Sequence, residues 1–244
     1  AFKIAMDANP TTPLFDPENP NLYSDFTGQE ALWNPVEELK LEQNGGETKL
    51  LDWDATVKLN LLPLLAKDGH SIHSLSTQLT FADQQSDNFD YWFRPSTSRL
   101  AMKNDYKGEA SRTYSKYRQH SLEWLGNYAM ELKGHRARAM VGYSYQYFQN
   151  SGLNAANKDF SSDGLLYNNL GSGEWAKEEG RNEMGTNKSD SKLIAFFGRL
   201  SYDYKNRYLM TASLRYEGSS RFGDDNKWGY FPAVSAGWRI SEEA

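Results

Sequence analysis

A strict alternation of apolar and polar residues constrains this chain more than any other feature, and it is cleanest in residues 193–243. From Ile194, every second residue (Phe196, Gly198, Leu200, Tyr202 and Tyr204) is apolar or aromatic, while Ala195, Arg199, Ser201 and Asp203 fill the gaps. A period of two puts these sets on opposite faces of a β-strand. After Lys205-Asn206 the pattern resumes, with Tyr208, Met210, Ala212, Leu214 and Tyr216 set against Arg207, Thr211, Ser213, Arg215 and Glu217. Two turn-forming residues between two such runs predict a hairpin. A Gly-rich loop at 218–230 then leads to a third strand, with Val234, Ala236, Trp238 and Ile240 facing one way and Ala233, Ser235, Gly237 and Arg239 the other.

The upstream sequence repeats this pattern. Residues 1–48 hold Pro10, Pro13, Pro17, Pro20 and Pro35 among Asn, Asp and Gly, which predicts a long loop with a short helix near 36–42. A strand follows at 51–61, with Leu51, Trp53, Ala55, Val57, Leu59 and Leu61 opposite Asp52, Asp54, Thr56, Lys58 and Asn60. A connector at 62–70 precedes a weaker strand at 71–81. Residues 82–116 show no sustained period and read as a loop. Strands at 118–133 and from 136 onward are joined by a turn at Gly134-His135; the second carries Ala139, Val141, Tyr143, Tyr145 and Tyr147 on its apolar face. Residues 149–191 read as another long loop.

The apolar faces are aliphatic or small in the middle and aromatic toward the ends, whereas the opposite faces carry charges at strand centres. Aromatic girdles and a polar interior belong to transmembrane barrels; in a soluble sandwich the same charges would point to bulk water. The connections alternate long and short along the chain, as the external loops and periplasmic turns of bacterial barrels do. Mean hydropathy is −0.76, and no apolar run approaches the roughly 20 residues of a membrane-crossing helix. That is compatible with β-segments, where alternation halves the apolar signal.

The reading is therefore all-β: an antiparallel transmembrane β-barrel segment of about seven strands with long extracellular loops. Bacterial single-chain barrels close on an even number of strands, and one wide enough for an oligomeric solute and a plug has about 22. The 244 residues are too few for that, so the chain is an arc of a larger wall. Residues 1–48 are assigned to an extracellular loop, and 49–244 to strands and loops. AFKIAMDANP lacks the basic start and apolar core of an export signal, so an exported chain would carry its targeting segment ahead of this sequence. The net charge of −5 argues against a nucleic-acid partner, and the absence of cysteine excludes disulfides and thiolate chemistry.

The run RYEGSSRF (215–222) followed by WGYFPAVSAGWRISEE (228–243) resembles the signature hairpin, loop and strand of the SusC/RagA branch of TonB-dependent outer-membrane transporters. NPVEELK (34–40) and GGETKLLDWDATVKLNL (45–61) are similar to the start of that family's barrel region, so the resemblance covers most of the chain. It implies energy-dependent import of oligosaccharides or peptides across the outer membrane, with TonB and a SusD-like surface lipoprotein as partners. It also implies a plug domain, which is not in this chain. Two other classes stay open on the residues alone: a passive porin or adhesin barrel, and a soluble carbohydrate-binding β-sandwich.

No nucleophile, acid or base set and no nucleotide motif is present, so no enzyme and no cofactor is expected. Tyr91, Trp92 and Arg94, and separately Trp175, are candidates to stack on sugar rings or peptide side chains; the alternative is that they pin their own loops. Arg199, Arg215 and Arg239 are candidates to line the lumen, either meeting an anionic solute or pairing with carboxylates such as Asp203 and Glu217. His70 and His73 lack a nearby third ligand and do not make a metal site. Asp224-Asp225-Asn226, and Asp83, Asp87 and Asp90, read as hydrophilic loop residues rather than cation ligands.

Overall fold

A computed structural model describes residues 6, 9–24, 34–61 and 72–243. His70 and the connector at 62–70 lie outside the described residues. The expected strands all form: β1 (Gln43–Asn60), β2 (Ile72–Arg94), β3 (Glu109–Leu132), β4 (His135–Lys158), β5 (Met184–Tyr204), β6 (Tyr208–Ser219) and β7 (Trp228–Trp238). They build one seven-stranded sheet in the order β1-β2-β3-β4-β5-β6-β7, each strand beside its neighbours in sequence. Tight turns return the chain between β3 and β4 and between β5 and β6, whereas residues 95–108 and 159–183 join β2 to β3 and β4 to β5.

Two details of those returns differ from the sequence reading. Between β3 and β4 the turn is Lys133-Gly134, with φ of 47° and 81°, and His135 is already the first residue of β4. Positive φ at both central residues marks the primed turn, whose twist matches that of the strands it joins. Between β5 and β6 the turn takes three residues rather than two. Lys205 and Asn206 have φ of 52° and 59°, the Asn206 N–H donates to the Asp203 carboxylate at 2.9 Å, and the Arg207 N–H donates to the Tyr204 carbonyl at 2.9 Å. Asp203 thus closes the turn through its side chain, a bond that hydrophobic periodicity does not report.

The register realises the alternation. Phe196, Tyr216 and Tyr230 form one rung, Leu200, Ala212 and Val234 another, and Tyr202, Met210 and Ala236 a third. On the opposite face, Arg199 aligns with Ser213 and Ala233, and Ser201 with Thr211 and Ser235. The apolar face is bare: Val57 is 60% exposed, Val141 53% and Val234 71%. Among the described residues the buried hydrophobic side chains are Phe93, Ala101, Ala110, Phe160 and Ala195, and no second sheet covers the apolar one. A sandwich would bury that face within the chain. The soluble-sandwich reading is therefore wrong, and an exposed apolar band of this extent is a surface for lipid.

The strands also run far beyond the predicted ends. β2 continues to Arg94, β3 begins at Glu109, β4 reaches Lys158 and β5 begins at Met184, so about half of the two segments read as loops at 82–116 and 149–191 is paired strand. At about 3.3 Å per residue a 24-residue strand is about 80 Å long, whereas about 9–11 residues cross a bilayer. Beyond the apolar band polar residues predominate and apolar ones such as Phe89, Tyr91, Trp92 and Phe93 form no sustained alternation, although the backbone ladder continues. Likewise β1 starts at Gln43, directly after α1 (Pro35–Leu41), whose Asn34 cap accepts from the Val36 and Glu37 amides at 3.0 and 3.4 Å. A second short helix, α2 (Arg99–Lys103), lies between β2 and β3.

The chain divides into two compact units. The first comprises 1–49, 87–116 and 151–188 and contains the cluster of Phe93, Ala110 and Phe160 with Leu166, Tyr167 and Leu170. The second comprises 50–86, 117–150 and 189–244 and carries the exposed apolar ladder.

Candidate functional site

Four strand ends of the first unit bring charge together. Arg94 closes β2, Glu109 opens β3, Lys158 closes β4, and Glu42 sits just ahead of β1. The Arg94 side chain is 12% exposed; its Nε donates to Glu42 Oε1 at 2.8 Å and its Nη2 lies 2.6 Å from the same oxygen. Its Nη1 reaches the Tyr106 hydroxyl at 3.2 Å and Glu109 Oε2 at 3.3 Å. The Tyr106 O–H donates to Glu109 at 2.9 Å, and burial, then the Glu109 charge, pushes the Tyr106 hydroxyl above its usual range, which keeps it a donor. Lys158 Nζ lies 3.2 Å from Glu109 and 3.7 Å from Glu183. Buried charges of both signs held by several bonds each make a rigid network, since releasing any one leaves a charge uncompensated.

A polar cleft of about 630 Å³ opens beside this network. Tyr106, Glu109 and Lys158 form one wall; Asn104, Asp105, Asp159, Trp175 and Arg181 complete it. Trp175 stands in a 3-10 turn with Lys158 Nζ 5.3 Å and the Arg181 guanidinium 5.2 Å from its ring centre. Asn157 holds that turn by accepting from the Ala176 amide at 3.0 Å and donating to the Leu170 and Gly173 carbonyls. The cleft offers hydrogen-bond donors, acceptors and one half-buried indole, a lining suited to a hydrated polar solute rather than to a covalent step.

The candidates read from the sequence are placed as follows. Trp92 donates its indole N–H to Glu42 Oε2 at 2.9 Å and carries the Arg94 guanidinium 4.7 Å over its ring, so Trp92 and Arg94 are engaged within the protein. Tyr91 has the opposite strand parity: it stacks on Tyr167 at 3.8 Å and packs where Gly45 leaves room, since a Cβ there would come 2.8 Å from its ring. Trp175 lines the cleft. Arg215 pairs with Glu217 and lies over Phe197 at 5.4 Å. Arg199 is exposed and lines a smaller depression of mixed character with Arg138, Asn127, Met140 and Ser201. Arg239 is exposed, and its N–H donates to the Arg207 carbonyl at 2.8 Å. His73 Nδ1 meets the Tyr128 hydroxyl at 2.7 Å, Asp83 pairs with His120, Asp87 lies 3.6 Å from Lys116, and Asp224 pairs with Lys227.

Sequence reasoning missed Glu42, Tyr106, Glu109 and Lys158. Apart from Tyr106 and Glu109, three residues apart, the bonded partners lie 12 to 52 residues apart along the chain, in stretches with no period, so no local signal links them. The charged residue next to each predicted strand end would have been the clue, had those ends been located.

The model of the family described as TonB dependent receptor-like, beta-barrel, matches residues 6–244. TonB-dependent receptor P39 of Formosa agariphila is 41% identical over 112 residues, which is 45% of this chain and 10% of that relative. TonB-dependent receptor SusC of Bacteroides thetaiotaomicron is 55% identical over 51 residues, 21% of this chain and 5% of its own length. The chain thus matches about a tenth of the length of such relatives or less. Among solved structures, the RagAB peptide transporter superposes with a TM-score of 0.63 at 18% identity, over 91% of this chain and 23% of that one. The open-open state of the RagAB peptide importer gives 0.67 at 17% identity, with the same coverage. At that identity the likeness shows the fold: an arc of a larger β-barrel.

Proposed function

This chain belongs to the TonB dependent receptor-like β-barrel family, and on that premise we propose that it forms part of the wall of an outer-membrane importer. The observation that carries the reading is the two-faced sheet: an uncovered apolar ladder on one side and Arg199, Ser201, Ser213 and Arg215 on the other. Lipid gives the backbone no partners, so a wall must satisfy its own amides, and a meander of neighbouring strands does so. The whole protein takes up an oligosaccharide or a peptide, driven through TonB and a plug and aided by a SusD-like surface lipoprotein. The polar cleft around Trp175 is part of the surface that first meets the solute, and Arg199, Arg215 and Arg239 line the lumen. The likeness to the TonB-dependent receptors SusC and P39 supports an import role, and this family is one of receptors rather than enzymes.

The test is purification of the natural protein from detergent-solubilised outer membranes, with mass spectrometry of what accompanies it and solute uptake measured with and without a proton gradient. A much longer chain, a co-purified lipoprotein and gradient-dependent uptake are expected. Uptake indifferent to the gradient would replace the active importer with a passive pore.

A further inference from the structure

The outer face of the second unit is neither flat nor neutral. Gly198 and Ala212 floor a groove of about 780 Å³, walled by Trp124, Tyr143, Phe196 and Leu214. A Cβ at Gly198 would meet only the Met140 carbonyl at 3.5 Å and Val141 at 3.9 Å, so the space above it is open. An apolar groove facing hydrocarbon does not hold water; an acyl chain fills it. Along the same face, toward the ends of the strands served by the long connections, lie two cations whose side chains have no partner among the described residues. The side chain of Arg118, six residues from Trp124 on β3, makes no hydrogen bond or ion pair among the described residues, and its Nε is buried with no acceptor. A buried donor left unmatched is costly and needs an occupant.

Lys192 is the second cation. Tyr143 of β4 packs on Phe196 of antiparallel β5 at 5.2 Å, so Tyr147 and Lys192, four residues further in each strand, are neighbours. Tyr147 in turn stacks on His120 of β3 at 6.0 Å, two residues from Arg118. Strands are about 4.8 Å apart, which sets Arg118 and Lys192 within about 12 Å of each other between backbones. The nearby carboxylates do not neutralise them: Asp83 is taken by His120, and Asp190 forms no ion pair with either cation. At about 3.3 Å per residue the cations stand about 13–20 Å from the groove, close to one leaflet of a hydrocarbon core about 30 Å thick.

We infer that this face holds one membrane lipid with a phosphate-bearing headgroup, its chain in the Gly198–Ala212 groove and its phosphate on Arg118 and Lys192. The inference rests on the outer-membrane reading. The site is tested on the whole protein in nanodiscs of outer-membrane lipid, with native mass spectrometry counting the lipids retained after detergent washing and heat-modifiable gel mobility reporting an intact barrel. The wild type should retain a phosphorylated lipid. Arg118→Gln with Lys192→Gln should lower its retention about thirtyfold, about fivefold per cation, and Gly198→Leu should lower it by filling the groove. Phosphatase-treated lipid should bind the wild type no better than it binds the double variant. An intact barrel that retains lipid equally in all of these arms overturns this inference and leaves the import reading standing. A chain that never inserts, and migrates identically heated or unheated, overturns both.

Discussion

Val141 and Ser144 lie near each other in β4 but on opposite faces, and that difference fixes what each tolerates. Val141 is 53% exposed on the apolar side, so Val141→Arg should cost about 2–4 kcal/mol of barrel stability. Ser144→Arg, on the lumen side, should stay within about 0.5 kcal/mol. Urea unfolding from bilayers, followed by tryptophan fluorescence, measures both; equal small losses would reverse the facing assigned here. Arg94 poses the opposite problem, a cation that is needed because it is buried. Arg94→Ala takes from the largely buried Glu42 its cation, while Glu109 keeps Lys158 and Tyr106, and should cost about 3–5 kcal/mol in the first unit, with partial recovery on adding Glu42→Gln. Hydrogen exchange across residues 87–116 reads that loss, and a change under about 1 kcal/mol would mean the network is already solvated.

At the scale of elements, the length of the strands carries the most information. If residues 109–116 and 151–158 are ladder rather than loop, their amides should exchange as slowly as those of 117–132. Fast exchange confined to those segments would restore the loops expected from the sequence. The turns make a second element-level prediction. Gly134 has φ of 81°, where a side chain is strained, and a Cβ there would come 3.1 Å from Lys205. Gly134→Val should therefore cost about 1–2 kcal/mol and slow assembly of the β3–β4 hairpin. Refolding kinetics into vesicles test it; an unchanged rate would show that the strands, not the turn, set the register.

Considered as a whole molecule, the sheet is an arc that cannot stand alone. Among the described residues β1 pairs only with β2 and β7 only with β6, so two backbone edges and an apolar face are left without partners. Open edges and wide apolar surface drive self-association in water. The 244-residue segment by itself should associate in detergent-free buffer and disperse in detergent, as sedimentation would report. A monodisperse monomer of 27.8 kDa without detergent would contradict the barrel reading.

The sequence by itself determined where the chain meets lipid. In residues 51–61 and 194–240 only one face is apolar, so periodicity alone assigned strand and face; the register that aligns Phe196, Tyr216 and Tyr230 depends on the three-residue turn at 205–207, which periodicity does not report. Only the tertiary structure decided what happens where the alternation lapses. There the ladder of backbone hydrogen bonds continues through Arg94, Glu109, Lys158 and Met184 without any side-chain period to announce it. Tyr91 and Trp92, adjacent in sequence and read together as stacking candidates in a loop, proved to point opposite ways because they belong to a strand. The charged network of Glu42, Arg94, Glu109 and Lys158 could not be read locally for a related reason: Coulombic partners are chosen by proximity in space, and the pairing of distant strand ends is what creates that proximity.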